Sequence, residues 1–281
     1  MASATIKLFL PHGDAKRLRV CEVSNWTGKA LAAPRTELDD LLAREEAENS
    51  GVYFLFGSDS ELGDPLVYIG EAEVVRDRLK QHRARDWNSV VVFVSKDENL
   101  TKAHIRYLES RILQEAKKVD RYRLENSNTS SPRLPESDRE DMEVFFSRIQ
   151  QVLPVLGSDL LTPVAGSTKG ANPQSVLVCK IKDAIGRGRR TEAGFVVFKD
   201  STAVSAVRPS AETQHPWLIA LRKKLLQNGT LVEKGGRLVF TKDAEFDSPS
   251  AAASVIYGGG ANGLTAWRDE NGKTLKETEE G

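Results

Sequence analysis

Five polar side chains on three short segments could do chemistry together. Tyr53 closes the string Gly51-Val52-Tyr53, and Tyr68 opens Tyr68-Ile69-Gly70 fifteen residues later. Arg78 follows ten residues after Tyr68, His82 four after that, and Glu109 lies in the next long periodic segment. A phenol or an imidazole can move protons. A guanidinium fork can neutralise charge growing on an oxyanion. A carboxylate among apolar side chains needs a metal ion or a cation beside it, because unpaired burial costs roughly several kcal/mol. Acid–base groups, a fixed cation and a hard anionic ligand are the parts of a metal-assisted hydrolytic site.

These residues need elements that bring them together. The two tyrosine strings are strand-like and flank a turn-rich stretch, Gly57-Ser58-Asp59 to Gly63-Asp64-Pro65, so they read as a hairpin. A helix over about 73–83 places Arg78 and His82 on one face, with Val74 and Val75 one turn before Arg78. Gly70 at the strand–helix junction allows close backbone approach. Asn99-Leu100-Thr101 opens a helix to about Lys118, capped by Thr101. Its apolar face is Ile105, Ile112, Leu113 and Ala116, and Glu109 interrupts it. The residue types leave Glu109 as a metal ligand, an ion-pair partner, or an acid snorkelling at the stripe's edge. His104, on the same helix, reads as structural.

Composition sets the frame. The 281 residues are 40% hydrophobic and 28% charged, an ordinary globular balance with room for about two domains. Forty basic residues balance forty acidic ones, so attraction to nucleic acid must come from local patches. Cys21 and Cys179 are far apart in strand-like runs and read as two buried thiols. No apolar run approaches about 18 residues, so no membrane span is expected. The start lacks the basic-then-apolar pattern of a signal peptide, and a cytoplasmic location is the expectation.

Around the hairpin, strands are expected at 6–10, 18–23, 90–94 and 121–124, with helices over 34–44 and from a capping box at Ser137 to about Val152. The polar aromatic loop Ser24 to Lys29 could touch DNA or serve packing. Residues 1–157 form the first domain, with its core at about 50–130. Gly-, Ser-, Thr- and Pro-rich residues 158–174 form a linker, and 175–281 a second domain. There, strands are expected at 175–181 and 194–198, a helix over 211–227, a hairpin about Gly235-Gly236, a short helix over 248–256 and a frayed acidic tail from Glu277. Gly258 to Gly263 fits G-x-G-x-x-G but follows a helix-like run, so dinucleotide binding is rejected.

The order Gly-Val-Tyr, Tyr-Ile-Gly, Arg, His, Glu, Asn resembles the GIY-YIG nuclease superfamily over roughly residues 50–130, with Val52 in place of isoleucine. The resemblance implies an α+β fold: a small antiparallel sheet flanked by helices, followed here by a second small α+β domain. It implies hydrolysis of phosphodiester bonds with one Mg²⁺ (or Mn²⁺) held by Glu109. Tyr53 would be the general base, its phenol lowered by a nearby cation. Tyr68 and His82 would position water or relay protons, and Arg78 would stabilise the developing charge. The family's asparagine falls on Asn126 or Asn128, with Asn126 preferred.

In the second domain, Gly186-Arg187-Gly188-Arg189-Arg190 with Lys180 and Lys182 reads as a basic turn. It either makes salt-sensitive phosphate contacts or is a solvated hairpin tip. Arg222-Lys223-Lys224 adds a helical basic cluster. The run from Phe246 through Ser248-Pro249-Ser250-Ala251-Ala252-Ala253 to Asn262-Gly263 and Trp267 resembles an uncharacterised module found beside such nucleases. It is also similar to restriction- and methylase-associated modules of bacterial defence proteins. That likeness implies DNA or modified DNA as partner, with Trp267 either on the recognition surface or in the domain's core. The expectation is a DNA endonuclease in bacterial restriction or phage defence. The alternatives are a structure-specific repair or recombination nuclease and a non-catalytic DNA-binding regulator.

Overall fold

The computed structural model describes residues 3–59, 64–126, 132–164 and 176–280. The chain divides into two compact units, 1–162 and 163–281. Both combine sheets and helices, an α+β arrangement.

The first unit is built on a seven-stranded sheet. Its strands are β1 (Ile6–Phe9), β2 (Arg19–Val23), β3 (Gly28–Pro34), β4 (Gly51–Ser58), β5 (Pro65–Ala72), β6 (Ser89–Ser95) and β7 (Arg123–Leu124), in the order β1-β2-β3-β6-β4-β5-β7. All neighbours are antiparallel except β5 and β7. Helices α1 (Leu38–Leu42) and α2 (Val75–Gln81) cover one face, and α3 (Lys102–Val119) and α4 (Glu136–Val155) the other. Covering on both sides explains why β4 and β6 are nearly continuous apolar runs. Val52, Phe54 and Phe56 face α3 and α4, whereas Tyr53 and Leu55 face α1 and α2.

β3 is a strand that propensity conceals, because Ala30, Ala32 and Ala33 are weak strand formers. Here small residues are required by packing. Trp26, nine-tenths buried, packs against Phe145 with ring centroids 4.9 Å apart, and a Cβ at Gly28 would strike its ring. The Ser24 to Lys29 segment is therefore the β2–β3 connection around a packed tryptophan, with Asn25 at φ +59° making the turn. The capping box expected at Ser137 does not form: α4 starts at Glu136, and the Ser137 hydroxyl bonds Asp138 instead. Thr101 does cap α3, and His104 completes that capping box by accepting from the Thr101 N–H.

The second unit contains β8 (Leu177–Ile181), β9 (Ala184–Thr191), β10 (Gly194–Val197), β11 (Thr202–Val204), β12 (Leu231–Lys234), β13 (Arg237–Phe240) and β14 (Ala244–Phe246). They form two sheets, β14-β10-β9-β8 and β11-β13-β12. The helices are α5 (Pro209–Gln214), α6 (Pro216–Gln227), α7 (Pro249–Tyr257), α8 (Gly263–Ala266) and α9 (Leu275–Glu280). The single helix expected over 211–227 is broken because Pro216 forces His215 out of the helical region and starts a new helix. The tail is not frayed: Glu277 accepts from the Thr274 N–H at the head of α9. Cys21 and Cys179 are free and buried, and burial pushes their thiols up to about 11 and about 12. No helix among the described residues is long and apolar enough to cross a membrane.

Candidate active site

The β4–β5 hairpin pairs Tyr53 with Gly70 and Leu55 with Tyr68. A Cβ at Gly70 would collide with the Tyr53 phenol, so this glycine is what lets the ring lie across the neighbouring strand. The Tyr53 and Tyr68 rings stack with centroids 6.1 Å apart. His82 ends α2 and begins the next turn, anchored by Trp87 Nε1 donating to its carbonyl at 3.0 Å.

Three side chains form a hydrogen-bonded chain. Arg78 Nε donates to the Tyr53 oxygen at 3.3 Å, and that oxygen lies 2.8 Å from His82 Nε2. Burial, with Arg78 and Arg85 nearby, lowers His82 to about 4, so the ring is neutral at pH 7. In the tautomer with Nε2 unprotonated, the phenol accepts from Arg78 and donates to His82 Nε2. Burial and the neighbouring Tyr68 push the Tyr53 phenol well above its ordinary value, and Arg78 only partly offsets them. Arg78 alone does not supply the lowered phenol expected of a general base at Tyr53, which is also fully buried. Tyr68 is the half-buried phenol of the pair.

Glu109 is half-buried on α3, and its carboxylate makes no hydrogen bond or ion pair among the described residues. Desolvation first, and Glu71 second, raise it to about 7, against the opposing pull of Arg106 and Arg78. Glu71, directly after Gly70, pairs at 3.6 Å with Arg106. Two carboxylates at such a site, one of them unpaired, fit a hard divalent cation, which prefers oxygen ligands. A separate group of metal-capable side chains, His12, Glu37 and Asp40, lies elsewhere, and Arg17 pairs with both acids.

Asn126 sits beside the hairpin in a positioning role rather than a reacting one. Its amide donates to the Ile69 carbonyl at 2.6 Å, and its oxygen accepts from the Ile69 N–H at 3.2 Å. It thus continues the β7 pairing along β5 and holds the backbone between Tyr68 and Gly70. Asn128 lies outside the described residues. Two residues join the site beyond those expected from sequence. Glu71 is one, and Arg85, whose guanidinium carbon lies 4.3 Å from the Tyr68 ring centroid, is the other. The basic run from Arg76 to Arg85 is the available signal for Arg85.

In the second unit the basic segment is a strand, not a turn. Gly186 and Gly188 look like turn residues, but they are strand positions pressed against neighbours: a Cβ at 186 would strike Ile256, and one at 188 the Val196 carbonyl. The turn is Lys182-Asp183, with Lys182 at φ +49°. Alternation and register put Lys180, Arg187 and Arg189 on the outer face of the sheet. Arg190 points the other way and pairs with Glu279 at 3.0 Å. Trp267 is fully buried, with its ring centroid 4.3 Å from that of Phe195 and its Nε1 donating to the Pro249 carbonyl. It is a core residue and cannot contact DNA in this structure. Arg222 is also buried, donating to the carbonyls of Val204 and Ser205, so it leaves the expected helical basic cluster.

Residues 177–279 match a family model described as Domain of unknown function (DUF4357). The match spans the whole of the second unit's sheets and most of α9. No curated protein and no solved structure matches the chain. Within the matched segment, the Ser248 hydroxyl caps α7 by accepting from the Ala251 N–H at 3.1 Å, and Asn262 caps α8 by accepting from Leu264. The serine-alanine run and the Asn262-Gly263 pair thus set helix ends around Trp267.

Proposed function

We propose that the chain is a metal-dependent DNA endonuclease of the GIY-YIG type, hydrolysing phosphodiester bonds in bacterial restriction or phage defence. The observation that carries this reading is the convergence of Arg78, Tyr53 and His82 in one hydrogen-bonded chain beside Tyr68, with the unpaired Glu109 on the adjoining helix. Burying polar groups in this way costs stability that a packing role would not require.

Glu109, with Glu71 beside it, would hold Mg²⁺ or Mn²⁺, which when bound polarises a phosphate oxygen as a Lewis acid. Arg78 carries the fixed charge that the pentavalent phosphorus needs. Tyr68, the more accessible phenol, meets the attacking water. The water oxygen forms the new bond to phosphorus, and its proton enters the phenol pair as the Tyr53 proton passes to His82 Nε2. The bond to the 3′ oxygen breaks, and that oxygen takes a proton from solvent. Arg78 and Arg85 oppose a charged His82 in the free protein, and an arriving phosphate offsets them. The outer face of β8 and β9 supplies Lys180, Arg187 and Arg189 for sequence-independent phosphate contacts.

The test is incubation with Mg²⁺ and linear, supercoiled, single-stranded, branched and modified DNA, beside a Glu109→Ala control. Cleavage abolished in the control supports the reading. No cleavage of any substrate, or cleavage that survives Glu109→Ala, overturns it.

A further inference from the structure

A cavity of about 280 Å³ lies in the first unit where β2, β4 and β6 meet the end of α4. It is lined by Arg19, Phe56, Asn88, Ser89, Tyr122 and Ser158 among others, and no aspartate or glutamate lines it. The other cavities described differ: one includes Glu22 and Asp97 beside its lysines, one Asp97, Asp138 and Asp141, and one Asp183 and Asp200.

Arg19 is the cation of this cavity and is unmatched. Its Nε is buried without a hydrogen-bond partner, and its guanidinium takes part in no ion pair among the described residues. Desolvation lowers its pKa with no carboxylate to restore it. A half-buried guanidinium whose Nε has no partner is unfavourable without an anion, so the site is preorganised for an anion from outside. The neighbouring groups say which kind. Asn88, Ser89 and Ser158 offer amide and hydroxyl hydrogen bonds beside the guanidinium fork, a set suited to the several oxygens of a phosphate. Phe56 and Tyr122 stand edge to face with centroids 5.7 Å apart, an aromatic wall for a planar ring. The volume fits one small ligand rather than a duplex.

We propose that this cavity binds a single nucleotide, its 5′ phosphate on Arg19 and its base against Phe56 and Tyr122. Arg19 and Phe56 lie on the sheet face opposite Tyr53, since Arg19 shares a face with Cys21, and Phe56 with Phe54, toward α3 and α4. It shares no residue with the candidate active site and does not depend on the nuclease reading. The nucleotide is either free or the 5′-phosphorylated end of a DNA strand.

Calorimetric titration of the full chain decides this. The probes are deoxyadenosine monophosphate, deoxyadenosine, inorganic phosphate and a short 5′-phosphorylated single strand. The monophosphate is expected to bind one per chain, at least about tenfold tighter than inorganic phosphate, with the nucleoside undetectable at about 1 mM. Arg19→Met should weaken it at least about tenfold, and Tyr122→Leu should erase its advantage over inorganic phosphate. Should Arg19→Met fail to fold, Tyr122→Leu alone decides. Equal affinity of monophosphate and phosphorylated strand supports a DNA end as the source, and a weaker strand supports a free nucleotide. Glu109→Ala should bind the monophosphate as the parent does, which separates this site from the catalytic one. Absence of monophosphate binding, affinity unchanged by Arg19→Met or by Tyr122→Leu, or equal affinity for inorganic phosphate overturns the proposal.

Discussion

Tyr53 in the first unit and Trp267 in the second are both fully buried aromatic residues carrying a polar atom, and the partners of that atom separate them. Trp267 gives its one N–H to a backbone carbonyl of α7 and packs against Phe195, so its needs are met inside the fold. Tyr53 is held between Arg78, a fixed cation, and His82, an imidazole whose charge a substrate can change. Burial alone does not distinguish a packing aromatic from a reacting one. The distinction lies in whether the polar atom ends on backbone, which is inert, or on groups that titrate.

The sharpest break in that comparison is at Glu109, the carboxylate beside the Tyr53 network. Glu109→Gln is expected to reduce cleavage about 10³-fold or more, roughly 4 kcal/mol of transition-state stabilisation. The same substitution removes an unpaired charge from an apolar stripe, so without metal it should raise the melting temperature at pH 8. Mg²⁺ should stabilise the parent and leave Glu109→Gln unmoved, as thermal unfolding with and without the ion will show. A variant that is both inactive and less stable would place Glu109 among structural ion pairs instead.

The counterpart in the second unit is Trp267→Ala. Deleting a buried tryptophan costs about 3–5 kcal/mol. The second unit should lose cooperative unfolding in calorimetry, and the first unit should keep its own transition. A Trp267→Ala protein that stays fully folded but loses DNA affinity would restore the recognition role.

His82 gives a pH-dependent form of the contrast. Its folded value of about 4 lies below the ordinary 6.5. Below 6.5 the unfolded chain takes up a proton that the folded one refuses, so stability falls as pH drops from 6.5 to 4. The loss amounts to about 3 kcal/mol over that window. His82→Gln should flatten this part of the stability–pH curve relative to the parent, as denaturant titrations at several pH values will register. Unchanged curvature would mean that the imidazole is not held neutral by burial and the neighbouring Arg78 and Arg85.

The first unit's site is more legible than the second's for a physical reason. Tyr53, Tyr68, Arg78, His82 and Glu109 are polar residues set into apolar periodic segments, and such interruptions stand out in a sequence. Sequence does not reveal that Tyr53 is the inaccessible phenol, because that depends on the register placing it over Gly70. Nor does it reveal that Glu71 weighs on Glu109 across the strand–helix contact. β3 escapes a sequence reading because alanines that leave space for Trp26 and α4 carry no strand propensity. In the second unit, glycines that admit Ile256 and the Val196 carbonyl look the same in sequence as glycines that make turns. The strand β9 and its outward arginines therefore read as a loop, and Arg222 as a surface cation although it fastens two carbonyls.

That reassignment leads to the smallest predicted effect. On a turn, Arg187, Arg189 and Arg190 would contribute alike to phosphate binding. On β9, Arg187 and Arg189 share the outer face with Lys180, whereas Arg190 is tied to Glu279 on the other side. Removing one cation from a phosphate should reduce the slope of log affinity against log salt by about 0.7–0.9. Arg187→Gln should therefore flatten that slope by close to this amount, and Arg190→Gln should leave it unchanged. Fluorescence anisotropy with a labelled duplex across a salt series measures both. Equal effects of the two substitutions would mean that DNA does not meet the outer face of this sheet.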